Sequence, residues 1–215
     1  MVEARTTVRD EYLIQDVDEF RERFGDTSER IYAKSNASLS DPMRRFVALS
    51  PFCVISSQDD QGSTDISPRG DAPGFVEILT PDLLLLPDRP GNKRFDTFCN
   101  VLLNPFVSLL FFIPGVFDTL RVNGVGRLTR DPDLLSRCAI KDKVPCVGML
   151  IEVEEAFGHC SKAIRRSGLW KAQTQIDPKL APSLVELMMS HIQANEKEWA
   201  AQDTRISDDI RDNMY

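Results

Sequence analysis

The residues best suited to hold an anion lie in one turn, which follows the apolar run 83–86 and precedes a helical pattern. The turn contains the cations Arg89, Lys93 and Arg94. Unpaired backbone N–H groups at a helix start, together with nearby Arg and Lys side chains, suit a phosphate dianion. The same spacing also fits a solvated basic turn, so both interpretations stay open at this point.

Two further segments could contribute to the same chemistry. In the first, residues 65–71, Arg69 follows a strand-like run and could project beside the same cleft. The second, residues 158–171, is called the late segment below; it has four Lys or Arg and no Asp or Glu. A Trp among clustered cations suits a flat, anionic aromatic ligand. A basic surface turn would have the same composition.

Several kinds of catalytic site have little support in the sequence. It contains no P-loop, no GxGxxG motif and no nucleophile elbow. Neither His159 nor His191 has a Cys or carboxylate at metal-ligand spacing, so no metal and no Ser-His-Asp hydrolase are expected. We therefore expect the chemistry to come from a bound organic cofactor.

The composition is that of an acidic globular chain. Of its 215 residues, 42% are hydrophobic and 27% are charged, which excludes disorder as the main state. The net charge of −7 repels polyanions, so no nucleic-acid partner is expected and a phosphate must be held by a local cluster. Five widely spaced cysteines, a charged start and no apolar run of spanning length predict a cytoplasmic protein without a membrane segment.

Hydrophobic alternation predicts about seven short strands. They fall at 52–57, 64–67, 75–79, 83–86, 106–113, 119–129 and 147–157. Helices are predicted over 95–103 and 131–139. This pattern predicts a mainly β (α+β) fold, a closed or nearly closed antiparallel barrel with peripheral helices.

The chain is predicted to form one structural domain with extensions at both ends. A helical arm is expected over 1–50, where Asp16 with Glu19 forms a capping-box pattern and Pro42 follows a helix start at Ser40. The barrel is expected over 51–175. A C-terminal helix and tail are expected over 176–215.

Four motifs carry a resemblance to a known family. They are DISPRGD at 65–71, LLLPDRPGNKRFDTFCNVLLNP at 84–105, RVNGVGRLTRD at 121–131 and HCSKAIRRSGLW at 159–170. Together with the strand order, they resemble the pyridoxamine 5′-phosphate oxidase-related, FMN-binding split-barrel flavoproteins. The similarity is greater to a branch of FMN-dependent enzymes whose substrate is unknown, and it covers about residues 40–175.

The resemblance implies a six-stranded split barrel that forms a homodimer with FMN at the subunit interface. The family's phosphate-gripping positions correspond to Arg69, Asn92, Lys93 and Arg94, and Ser67 and Pro68 border the flavin ring. Further positions are expected near the cofactor, from a subunit that the resemblance leaves open. These are Arg121, Asn123, Lys162, Ala163, Arg166, Ser167 and Trp170.

The sequence also departs from the family pattern at two places. Thr97 stands where many relatives have a Lys in the helix, and Arg94 lies nearly one turn earlier. The C-terminal Arg-Leu-x-Pro signature of true pyridoxamine phosphate oxidases is missing. The resemblance therefore does not extend to their vitamin substrate.

The implied function is an FMN-dependent oxidoreductase that transfers hydride through flavin N5 to or from a small molecule or a reduced nicotinamide donor. One alternative is a flavin-binding or flavin-storage protein without turnover. Another is a binder of a different phosphate-bearing planar cofactor, a deazaflavin or a haem-related pigment. The sequence leaves the substrate, the electron donor and the direction of the reaction open.

Overall fold

The computed structural model describes residues 9–26, 35–91, 93–189, 204–206 and 208. The chain forms two compact units, 1–35 and 36–215, and each is described by itself. In the first unit a 3₁₀ helix, Asp10–Tyr12, precedes helix α1, Val17–Phe24. The side chain of Asp16 accepts a hydrogen bond from the Glu19 backbone N–H at 2.8 Å, which confirms the predicted helix cap.

The second unit is built on one antiparallel sheet, whose strand order is β2-β1-β5-β6-β7-β4-β3. Its described strands confirm the predicted number, although the family resemblance implied six. The β2 and β3 strands form the two edges of the sheet. The strands are β1 Phe52–Gln58, β2 Thr64–Gly70, β3 Glu77–Thr80, β4 Leu83–Pro87, β5 Phe106–Phe112, β6 Thr119–Thr129 and β7 Gly148–His159.

Helices fill the ends and connections of this sheet. They are α2 Asp41–Leu49, α3 Asp96–Leu103, α4 Pro132–Ser136, α5 Lys162–Ser167 and α6 Leu184–Met189, with 3₁₀ helices at Ala172–Thr174 and Pro178–Leu180. The described part of the chain has no helix that is long and apolar enough to cross a membrane. Helix α3 contacts β1, β2 and β6, so it covers the end of the sheet at which β2 is the edge.

The core lies on one face of the sheet because the strands alternate buried and outward-facing residues. Ile55, Leu109, Phe111 and Val122 on three neighbouring strands are buried, and each apolar side chain of this size contributes ~1.5–3 kcal/mol on burial. The opposite face, called the outer face below, carries residues such as Val54, which remains partly exposed. Among the described residues, the packing therefore leaves a broad sheet surface that is not fully covered.

A β-bulge interrupts the pairing of β6 with β7 at Gly124. The register shifts between Asn123 and Gly124, where Asn123 pairs with Glu155 and Gly124 with Val153. A Cβ atom at Gly124 would lie 2.1 Å from the Glu152 carbonyl oxygen, so only glycine fits this approach of two backbones. The bulge leaves one residue of β7, Glu154, without a partner on β6.

We predict that Gly124→Ala lowers the free energy of unfolding by ~3 kcal/mol or more, the upper range for overpacking, because the backbone of β7 must move. Urea denaturation measures this change. Gly158→Ala on the same strand pair is the control, because its Cβ would have no neighbour within 4 Å. Equal losses in the two variants would contradict the close approach at Gly124.

Candidate functional site

The edge strand β2 turns polar side chains toward the core side of the sheet. Its register pairs Arg69 with Cys53 and Asp65 with Ser57, so Asp65, Ser67 and Arg69 share the face that helix α3 covers. Each of the three side chains is half-buried, whereas Pro68 is exposed and lies on the outer face. The structure therefore brings Ser67 and Arg69 together and places Pro68 on the other side of the strand.

Arg69 lies at the start of helix α3. Its Nη2 donates to Thr97 Oγ1 at 3.2 Å, and that hydroxyl donates to Asp65 Oδ2 at 2.8 Å. The guanidinium also packs over the Phe98 ring, 5.5 Å from its centroid. Its Nε is buried and has no hydrogen-bond acceptor among the described residues. Arg69 therefore keeps donor capacity at a helix N-terminus, which is a suitable place for an anion.

A buried ion pair fixes the turn that leads into α3. Arg89 Nε donates to Asp71 Oδ2 at 2.6 Å, and the Asp71 side chain is only 2% exposed. This contact joins the end of β2 to the residues that follow β4. The sequence did not indicate that Arg89 pairs with Asp71. The pair connects the turn to the end of β2, the strand that carries Arg69.

The turn itself has an unusual backbone. Lys93 and Phe95 have φ values of 57° and 59°, in the left-handed region that non-glycine residues seldom adopt. Such conformations cluster at ligand-binding sites. Arg94 is exposed and pairs with Asp96 at 2.6 Å, and Lys93 is also exposed. Asn92, the fourth predicted phosphate residue, lies outside the described residues.

Burial shifts the pKa of two groups beside Arg69. Asp88 Oδ1 lies 3.9 Å from Arg69 Nη1, and burial raises the pKa of this carboxyl above its ordinary value more than Arg69 and Arg89 lower it. Burial also raises the pKa of the Cys53 thiol to about 12, although Arg69 acts in the opposite direction. Cys53 is therefore an inert core thiol, as expected for a buried cysteine.

A second polar group lies on the outer face. Asn123 Nδ2 donates to Glu155 Oε2 at 2.7 Å, and Arg121 Nε donates to Asn123 Oδ1 at 3.3 Å. The Arg121 guanidinium lies over the Phe157 ring, 5.7 Å from its centroid. The two predicted residues of β6, Arg121 and Asn123, are therefore in one hydrogen-bonded chain.

The late segment is anchored on the loop between β5 and β6. Trp170 Nε1 donates to the Val116 carbonyl at 2.8 Å, and the Arg165 guanidinium lies 4.3 Å from the centroid of Phe117. Gly168, with φ of 64°, ends helix α5 in the left-handed conformation. The other predicted residues, Lys162, Ala163, Arg166 and Ser167, are exposed on α5. Trp170 therefore fixes the segment through its indole N–H.

The predicted residues thus form separate groups within one copy of the chain. The Arg69 group is on β2 and α3, whereas the late segment follows β7, and β1, β5 and β6 lie between these two strands in the sheet. Among the described residues, no hydrogen bond or ion pair joins the late segment to Arg69. The described residues also contain no group of three or more His, Cys, Asp or Glu that could hold a metal ion.

The sequence model of the family described as pyridoxamine 5′-phosphate oxidase matches residues 39–160, more than half of the chain. The chain belongs to this family. The matched range contains the whole sheet, the Arg69 group and the turn into α3. The split-barrel fold and the resemblance inferred from the motifs are therefore confirmed. The family binds flavin-type cofactors.

Solved structures with a similar fold are distant in sequence. HupZ of Group A Streptococcus is 13% identical, with 56% of this chain and 93% of that chain covered and a TM-score of 0.46. An FMN-binding protein from Syntrophomonas wolfei is 12% identical, with 54% and 81% covered and a TM-score of 0.43. An F420 reductase is 15% identical, with 56% and 98% covered and a TM-score of 0.40. No curated protein matches the sequence.

Sequence reasoning missed the acidic and hydroxyl partners of Arg69. Thr97 was identified only as the residue that replaces a Lys, and Asp65 and Asp88 were not singled out at all. The available signal was the strand period, because Asp65 and Arg69 are four residues apart and must share a face of β2. Contact with Thr97 and Asp88 depends on tertiary packing, which the spacing does not show.

We predict that Asp88→Asn raises the free energy of unfolding at neutral pH. The pKa of Asp88 is raised in the folded state, so ionisation costs stability as the pH rises above the ordinary carboxyl value of 3.8 and through the folded-state pKa. The gain should shrink below pH 3.8, where the wild-type carboxyl is protonated in both states. Urea denaturation across this pH range measures it.

The exposed carboxylate Asp118 provides the matched control. Because Asp118 is exposed, Asp118→Asn should change the free energy of unfolding at neutral pH by less than ~0.5 kcal/mol. A destabilised Asp88→Asn at neutral pH would show that attraction to Arg69 outweighs the cost of burying the carboxylate.

Proposed function

We propose that this protein is an FMN-dependent oxidoreductase that holds the FMN phosphate in the notch between Arg69 and the start of α3. The observation that carries the proposal is the buried Arg69 Nε, which has no acceptor among the described residues and lies beside the N-terminus of a helix. A phosphate oxygen would supply that acceptor. Lys93 and Arg94 in the adjoining turn are the additional cations, together with Asn92 from the resemblance.

The carboxylates around the notch leave Arg69 able to bind an anion. Arg69 faces Asp65 through the Thr97 hydroxyl and Asp88 at 3.9 Å, so neither carboxylate makes a close bidentate pair with it. An FMN phosphate carries up to two negative charges near neutral pH, and charge-assisted hydrogen bonds are roughly twice as strong as neutral ones. The local cluster can therefore bind a phosphate despite the net charge of −7.

The flavin ring is assigned to the residues that adjoin this notch. Ser67 shares the face of Arg69, whereas Pro68 lies on the outer face and would border the ring from the other side of the edge strand. Arg121, Asn123 and Trp170 complete the ring side of the site from a second copy, because they lie several strands away from Arg69 within one copy. When bound, FMN would supply hydride transfer through N5, while the protein binds it, orients it and excludes water.

The outer face of the sheet supports the proposal of a homodimer. Val54 and Leu110 lie opposite each other on β1 and β5, and Phe52 and Phe112 form the next pair. Ile66 on the edge strand is 72% exposed and Phe106 is 61% exposed. Exposed apolar side chains that share one face of a sheet are typical of an interface. A second copy would cover it and bring the Arg121 group into the proposed flavin site.

We predict that Arg69→Gln weakens FMN binding by roughly 10- to 100-fold, which corresponds to the loss of a charge-assisted hydrogen bond of ~1.5–3 kcal/mol. Quenching of flavin fluorescence during titration measures the affinity. Arg127→Gln is the control, because Arg127 forms an exposed ion pair with Glu152 on another part of the sheet. Unchanged FMN affinity in Arg69→Gln would exclude the notch as the phosphate site.

The identity of the ligand separates the alternatives. Acid-released FMN from the purified protein, followed by bleaching and turnover with reduced nicotinamide, supports the oxidoreductase. FMN that binds without any turnover supports storage. A released deazaflavin or haem-related pigment would replace FMN as the cofactor.

We predict that Val54→Asp converts a dimer to a monomer and weakens FMN binding, because a charge is placed in the apolar interface and the second copy's contribution is lost. Light scattering gives the mass, and flavin titration gives the affinity. Val144→Asp is the control, since Val144 is exposed in a loop that is not part of the outer face. A stable monomer of the wild-type protein that binds FMN fully would contradict the shared site.

A further inference from the structure

The late segment has an excess of positive charge that the structure does not neutralise. Residues 156–176 contain four Lys or Arg and no Asp or Glu, in a chain whose net charge is −7. None of the ion pairs formed by the described residues includes Lys162, Arg165, Arg166 or Lys171. The segment itself thus has no acidic residue that could neutralise these cations.

Two of these cations form a pair on helix α5. Lys162 and Arg166 are four residues apart, a spacing that places them on the same face of a helix, and both are exposed. Like charges at this spacing destabilise a helix. An anion bound between the two side chains would remove this repulsion and gain two charge-assisted contacts.

The anchoring of the segment gives this pair a defined position. Arg165 is turned toward Phe117 and also donates from Nε to Ser161 Oγ at 3.3 Å, so it is engaged within the chain. The indole N–H of Trp170 is bonded to the Val116 carbonyl. Because Arg165 and Trp170 hold the segment on the β5–β6 loop, Lys162 and Arg166 are left to face outward together.

Aromatic rings connect this pair with the Arg121 group. The Phe157 ring lies under the Arg121 guanidinium, and its centroid is 6.1 Å from that of His159. His159 is the last residue of β7 and comes just before the late segment. A planar ligand could pack on these rings while its anionic group reaches Lys162 and Arg166.

We propose that Lys162 and Arg166 bind the phosphate or pyrophosphate of a second reactant, of the chemical class of the nicotinamide dinucleotides, which exchanges hydride with the flavin. This inference rests on the proposed function. FMN carries a single phosphate, and the Arg69 notch accounts for it. A second cationic site, on a different strand and loop, is therefore available to a second anionic ligand.

The test compares two double variants of equal charge change, each saturated with FMN. Lys162→Gln/Arg166→Gln removes the proposed pair. Arg130→Gln/Lys179→Gln removes two exposed cations elsewhere. Isothermal titration with inorganic pyrophosphate should show at least ~10-fold weaker binding in the first variant only, which corresponds to ~1.4 kcal/mol. Its FMN affinity should remain within about twofold of wild type.

A chemical footprint gives a second readout. Cys160 is exposed, and its Sγ accepts a hydrogen bond from the Lys162 backbone N–H at 3.5 Å, so it adjoins the proposed site. Pyrophosphate should slow the alkylation of Cys160 by iodoacetamide. Cys99 and Cys146, which are also exposed, serve as internal controls and should react at an unchanged rate.

Three results would overturn the inference. Unchanged pyrophosphate affinity in the first variant would make the pair a solvated surface. If Lys162→Gln/Arg166→Gln loses affinity for FMN and pyrophosphate to the same extent, the pair belongs to the flavin site. A shifted flavin midpoint potential with unchanged pyrophosphate binding would lead to the same conclusion. Pyrophosphate binding that depends on the pair, in a protein that takes no FMN, would instead overturn the proposed function and keep the anion site.

Discussion

The proposed anion site depends on one guanidinium, that of Arg69, whose hydrogen bonds are incomplete. Arg69 shares a hydroxyl with Asp65, lies at a distance from Asp88 and retains a buried Nε without an acceptor among the described residues. An arginine held in a close ion pair with a buried carboxylate has a structural role. Arg89, whose partner Asp71 is almost fully buried, is that structural arginine. Arg69 and Arg89 thus have different roles, which depend on how closely each one pairs with a carboxylate.

The position of Arg69 follows from the split barrel. On the interior strand β1, the core-facing positions are Cys53, Ile55 and Ser57, all of them buried, whereas the matching positions of the edge strand β2 are Arg69, Ser67 and Asp65. An edge strand can carry charge on its inner face because a short helix covers it in place of another strand. The exposed apolar residues of the outer face lie on the other side of the sheet, where a second copy would complete the proposed site. One sheet therefore has polar and charged residues on the inner face of its edge strand and exposed apolar residues on its outer face.

The sequence predicted the repeating features of the fold and failed where contacts are not local. Alternation gave the strands to within a few residues, and the motif at 65–71 identified Arg69. The same reasoning grouped Arg89 with the phosphate cations, because the ion pair with Asp71 spans 18 residues and leaves no periodic signal. The anchoring of Trp170 on Val116 spans 54 residues and was equally hidden. Composition identified the late segment as basic, but only the structure separates its engaged cations from the outward-facing pair.

The most direct test of the account is the ratio of the affinities for FMN and riboflavin, which differ only in the phosphate. We expect the wild-type protein to bind FMN about 100-fold more tightly, or ~2.7 kcal/mol, and Arg69→Gln to lose most of this preference while its affinity for riboflavin stays the same. Equal affinities of the wild-type protein for the two flavins, or a preference that survives the loss of Arg69, would contradict it.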